Sequence, residues 1–112
     1  MIKKLSHMDE TEADNYDAVT TLAFDIAHDI KGERLYCCTA TIHESGAYIV
    51  LKSYNTPIAL FVVGYHNSVL YDFLRREYGY TSTSNHHICK FKKWLAEKGL
   101  YDDSTVYVRF IP

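Results

Sequence analysis

Between residues 16 and 30 the apolar positions recur at helical spacing, so that Tyr16, Val19, Ala23, Ile26, Ala27 and Ile30 share one face. Upstream, Asp9 or Thr11 offers an N-cap, with Glu12 or Asp14 three residues later as the capping-box acid. Lys31 and Gly32 supply a basic last turn and a glycine suited to a left-handed stop. The pattern then changes period. "LYCCTATIH" (35–43) and "AYIVLKSY" (47–54) read as strands around a hairpin turn at Glu44-Ser45-Gly46. "PIALFVV" (57–63) is a continuous apolar run, as in a central strand covered on both faces, and Asn55-Thr56-Pro57 turns the chain into it. In "VLYDFL" (69–74) the alternation of Val69, Tyr71 and Phe73 leans toward strand, while residues 66–79 as a whole leave strand and helix both open.

Helical spacing returns with His87, Ile88, Phe91, Trp94 and Leu95, while Lys90, Lys92, Lys93 and Glu97 project elsewhere. The polar cluster "TSTSN" (81–85) before that run is an N-cap signature, with Ser84 or Asn85 as the cap, and Lys98-Gly99 repeats the basic-then-glycine stop. "STVYVRFI" (104–111) alternates as an edge strand. The expected fold is therefore α+β: one domain over residues 1–112, an antiparallel sheet of about four to five short strands, and two helices packed on one face.

Composition narrows the class. With 47% apolar residues in 112, the chain can fill a core without metals or disulfides. It has no apolar run of membrane-spanning length, and "MIKKLSHMDETEAD" lacks an apolar signal core, so a cytoplasmic protein with no membrane partner is expected. Three cysteines, two of them the adjacent Cys37 and Cys38, fit reduced thiols better than a disulfide framework. The net charge of −2 conceals an asymmetry. In residues 1–30, Asp9, Glu10, Glu12, Asp14, Asp17, Asp25 and Asp29 outweigh Lys3 and Lys4, whereas Arg75, Arg76, Lys90, Lys92, Lys93 and Lys98 dominate residues 75–98. The plain reading is two solvated helix faces of opposite sign, and the functional one is a dipolar surface that steers a partner. Ten tyrosines suit both strands and recognition surfaces.

Most chemistry is hard to place on this sequence. His86 and Cys89 would share a helix face while His87 is turned about 100° away, and there is no C-x-x-C or H-E-x-x-H spacing, so neither a metal site nor a cofactor is expected. Nor do the flanks of the cysteines resemble a nucleophile elbow, and no glycine-rich cradle occurs. Nucleic-acid binding has more substance. Arg75, Arg76, Lys90, Lys92, Lys93 and Trp94 combine positive charge with an aromatic, although Trp94 falls on the apolar stripe and the pI of about 6.3 is low for such a protein.

Two further motifs read together. "SYNTPIA", with Ser53, Tyr54, Thr56, Ile58 and Ala59, precedes "YTSTSNHHICKF", with Tyr80, Thr81, Thr83, Ser84, Asn85, His87 and Phe91. The pair resembles an uncharacterised domain family of short proteins carried by phages and plasmids of Gram-positive bacteria, whose members show S-Y-x-T-x-I-A and then Y-S-x-T-T-S-x-H-x-x-x-F. The resemblance spans residues 48–95 and departs at Ser84 and Asn85, where Thr and Ser are usual, and in a longer insert between the motifs. It implies a mobile-element context and no particular reaction. Within it, His87 is expected to be structural, packed near Tyr54 and Thr56 and bonded to the "TSTS" segment. The leading expectation is a non-enzymatic module that binds a host or defence-system protein, anti-CRISPR-like in its sharpest form, with Asp9, Glu10, Glu12, Asp14 and Asp17 as an acidic surface mimicking nucleic acid. A nucleic-acid-binding accessory protein is the alternative, and a homodimer paired through strand 104–111 is a third possibility.

Overall fold

The computed structural model describes residues 12–36, 39–78, 82–102 and 104–111. In chain order these form α1 (Glu12–Asp29), β1 (Glu33–Arg34), β2 (Ala40–Ser45), β3 (Tyr48–Ser53), β4 (Thr56–Val62), β5 (Ser68–Asp72), α2 (Leu74–Tyr78), α3 (Ser82–Glu97) and β6 (Val106–Phe110). The strands make one six-stranded sheet in the order β1-β2-β3-β4-β5-β6. Every neighbouring pair is antiparallel except β5 and β6, which are parallel. The α+β class holds, but the sheet is mixed and has more strands than the pattern suggested. The chain leaves β5, passes through α2 and α3, and re-enters the sheet in the same direction, as a crossover connection must.

The placement of the helices corrects the expectation that both pack on one face. Val19, Ala23 and Ile26 of α1 pack with Val50, Leu60, Val62, Tyr71 and Ile111. Ile88, Phe91 and Leu95 of α3 pack with Ile42, Ile49, Leu51, Ile58, Phe61, Leu70 and Val106. The two sets alternate along the central strands β3, β4 and β5, so the helices cover opposite faces. The cause lies in β4, where every residue from Pro57 to Val62 is buried. A strand apolar on both sides needs cover on both sides, and each helix supplies one.

Local chemistry explains the element boundaries. Lys52 pairs with Pro57 and Leu51 with Ala59, which leaves Ile58 as the extra residue of a bulge. Pro57, lacking an N–H, is tolerated beside that irregularity. Asp72 ends β5 and its Oδ1 accepts the Leu74 N–H at 3.0 Å, starting the short helix α2. The segment that left strand and helix both open thus contains each in turn, strand over Ser68–Asp72 and helix over Leu74–Tyr78. At the end of α3 the Leu100 N–H donates to the Leu95 carbonyl at 2.9 Å and the Gly99 N–H to the Ala96 carbonyl at 3.0 Å, with Gly99 at φ +76°. This is the double closure that a left-handed glycine permits.

Gly32 serves differently from the expected left-handed stop. A Cβ there would lie 2.5 Å from the ring of His43, which reaches across from β2. His43 is 3% exposed; its Nδ1 donates to the Ile30 carbonyl at 2.7 Å, and its Nε2 then accepts the Thr41 hydroxyl at 3.0 Å. The last turn of α1 is therefore closed by a side chain from the sheet. The expected cap of α3 moves as well, since the helix begins at Ser82 and places Ser84 and Asn85 inside its first turn. Among the described residues no helix is long and apolar enough to cross a membrane.

Candidate functional site

The two sequence motifs meet in space. Ser53 ends β3, Tyr54 and Asn55 form a two-residue turn, and Thr56 opposite Ser53 begins β4. His87 points inward from α3 onto that turn. Its Nδ1 lies 2.7 Å from the Ser53 hydroxyl and its Nε2 3.4 Å from the Thr39 hydroxyl, with the Tyr54 ring 5.7 Å away and tilted. The Tyr54 N–H donates to the Thr39 carbonyl at 3.1 Å, and Tyr54 holds φ +54°, a conformation a bulky residue rarely takes. The side chains of Thr83 and Ser84 lie outside the described set, and Asn85 is exposed.

This cluster is a clamp between α3 and the β3–β4 turn. Ser53 is fully buried and His87 is 3% exposed, so no substrate reaches the hydroxyl and the short Ser–His contact is not a nucleophile with its base. Burial, followed by the positive field of Lys90 and His86, holds the imidazole below its ordinary pKa. The neutral ring exchanges hydrogen bonds with two hydroxyls without burying a charge.

The outward helix faces carry the remaining candidates. On α1, Asp17, Thr21, Phe24, Asp25 and Asp29 are exposed, Phe24 by 40% of its surface. Asp17 is paired with Arg76 of α2. Between α1 and α2 lies a groove of about 340 Å³, lined by Thr20, Thr21, Phe24, Asp25, Arg76 and Glu77. Of the predicted acidic set, Asp9 and Glu10 lie outside the described residues, and Glu12 and Asp14 sit on the first turn of α1 with undescribed side chains. Asp17 alone can be placed as a side chain, and it is half of an ion pair. Asp25 and Asp29 continue the acidic face toward the helix end.

The basic set divides. Lys90 and Lys93 are exposed on α3 and Lys92 is half-buried. Arg76 turns the other way, to α1, and the Arg75 side chain lies outside the described set. Trp94 is half-buried against the core, stacks on Phe91 at 6.4 Å and lies under Lys98, so its ring is already engaged. What the sequence missed is Tyr36. It is also at φ +54°, donates its hydroxyl to Glu97, and receives Lys93 Nζ 5.5 Å above its ring. The Glu97 hydrogen bond, assisted by burial and the carboxylate charge, pushes its pKa up to about 12. The β1–β2 connection that carries Tyr36 and α3 are far apart in sequence, and no periodic signal announces this pairing.

His86 and Cys89 share the solvent face of α3, and both are exposed. Among the described residues no three His, Cys, Asp or Glu side chains gather as a metal site would require, and Cys37 and Cys38 lie outside those residues. Scans against models of protein families, curated proteins and solved structures return no match.

Proposed function

We propose that this protein is a small, non-enzymatic accessory protein of a mobile genetic element that acts by binding another protein. Its sharpest form is an inhibitor of a bacterial defence system, anti-CRISPR-like in mode, with the outward face of α1 as the docking surface. One observation carries this reading: Phe24 stands exposed beside the groove between α1 and α2, with acidic Asp17, Asp25 and Asp29 on the same helix. An aromatic anchor inside a polar rim suits a protein partner. The acidic surroundings suit one with a basic groove, such as a nuclease, where carboxylates would stand in for phosphates. The mobile-element context rests on the motifs around Tyr54 and His87.

The test is affinity capture from host lysate with and without nuclease, repeated with Phe24→Ala/Asp25→Lys and with Lys90→Glu/Lys93→Glu. The proposal expects a stoichiometric protein partner that survives nuclease, disappears with the first variant and persists with the second. A partner lost only with the lysine variant would overturn the acidic face as the docking surface. Nucleic-acid binding through α3 is the second reading, favoured by exposed Lys90 and Lys93 beside the Tyr36 ring. Material that vanishes with nuclease, and whose binding weakens steeply with salt, would select it.

A further inference from the structure

The two edges of the sheet are built differently. β1 is two residues long, both exposed and charged, which blunts that edge. β6 is the five-residue run V-Y-V-R-F, with neither proline nor lysine, and among the described residues no strand pairs with its far side. Tyr107 is 57% exposed and Phe110 60%. We propose that β6 is a self-pairing edge, and that two copies of this chain join their sheets antiparallel about a two-fold axis at Val108.

The backbone sets the register. The Thr105 carbonyl accepts the Ser68 N–H at 3.0 Å and the Ile111 N–H donates to the Asp72 carbonyl at 2.7 Å. In a parallel ladder the residues facing the neighbour alternate, so Thr105, Tyr107, Arg109 and Ile111 direct their N–H and C=O groups toward β5. Val106, Val108 and Phe110 direct theirs outward. An antiparallel partner must bond through those residues. Centring the axis on Val108 uses all of them: Val108 faces the partner's Val108, and Val106 faces the partner's Phe110. Shifting the axis by one residue in either direction leaves some of these groups unpaired and sets Tyr107 against Tyr107 or Arg109 against Arg109. The second arrangement opposes like charges.

The side chains agree with this register. Val106 and Val108 belong to the core on the α3 face, so Phe110, two residues further along the strand, is on that face as well. Its exposed ring then covers the partner's Val106. Tyr107 and Arg109 lie on the α1 face, where Arg109 acts on the Tyr71 hydroxyl. Tyr107 is then directly opposite the partner's Arg109, a cation over an aromatic face. Each exposed aromatic therefore meets a complementary group of the same strand, which makes a second copy the occupant of this edge. Because the axis stands perpendicular to the sheet, both α1 helices fall on one side and both α3 helices on the other. The assembly would have one doubly acidic face and one doubly basic face. It is separate from the α1–α2 groove and stands or falls independently of the proposed function.

Sedimentation velocity over a wide concentration range tests it with the wild-type chain, Val108→Pro and Phe110→Lys. Val108→Pro deletes an outward N–H while leaving the ladder to β5 intact, and Phe110→Lys changes a solvent-exposed side chain. The wild type should shift from 13.0 kDa to twice that mass as concentration rises, and both variants should stay at the monomer value. A wild type that remains monomeric throughout would overturn the proposal, as would a dimer that both folded variants retain. Should Val108→Pro fail to fold, Phe110→Lys decides by itself: loss of the dimer supports the edge, and an unchanged dimer sinks it.

Discussion

Ser53→Ala is the sharpest probe of the clamp between the β3–β4 turn and α3. The substitution removes one oxygen atom from a fully buried position and leaves His87 Nδ1, previously 2.7 Å from that oxygen, without this partner. A buried polar atom stripped of its hydrogen bond costs about 1–3 kcal/mol. Against a typical domain stability of about 5–15 kcal/mol, that is a large fraction. At roughly 4 °C per kcal/mol for a chain of this size, the melting temperature should fall by ~4–12 °C. Urea unfolding followed by circular dichroism should show a lower midpoint with an unchanged slope. His87→Leu removes the other half of the pair, and in the double variant the orphaned nitrogen no longer exists. The two losses should therefore fail to add, by about 1 kcal/mol or more. If Ser53→Ala stays within about 0.5 kcal/mol of wild type, or the two substitutions are simply additive, the clamp does not stabilise the fold as argued.

The same imidazole predicts a pH dependence. His87 is held below its ordinary value near 6.5 by burial and then by Lys90 and His86, so the unfolded chain binds the proton more readily. Stability is full above that pH and declines as pH falls through 6.5 toward the folded value, by at most about 1.4 kcal/mol per unit; unfolding titrations should lose this component in His87→Leu. Gly32→Ala drives a methyl group to within 2.5 Å of the His43 ring and should destabilise by about 1–3 kcal/mol. His43→Ala in that background should recover part of the loss in the same unfolding assay. Gly99→Ala strains a left-handed position and should cost about 1 kcal/mol in a thermal melt, without affecting sedimentation. Phe24→Ala/Asp25→Lys, on an exposed face, should leave the unfolding midpoint within about 0.5 kcal/mol of wild type, separating lost binding from lost fold.

Periodicity alone determined α1, strand β3, the glycine stop after α3 at Gly99 and the α+β class, because each is written in spacings of two or three to four residues and in turn chemistry. The strand expected over 35–43 instead starts at Ala40 and runs through Ser45, which moves the hairpin turn to Gly46 and Ala47. The run from Pro57 to Val63 already carried the decisive fact about layers, since a strand apolar on both sides must be covered on both sides. Grouping the helices on one face contradicted that run, and the structure sides with the run. The candidate site was legible in part. Ser53, Tyr54 and His87 were visible as two motifs, and only folding brought them within hydrogen-bonding reach, since α3 must cross the sheet to lay His87 on the turn. Tertiary structure alone decided that Gly32 makes room for His43, that Arg76 leaves the basic set for Asp17, and that Tyr36 joins α3. The physical reason is common to all of these. Local spacing reports which face of its own element a side chain occupies, whereas partners far apart in sequence are chosen by how the layers stack.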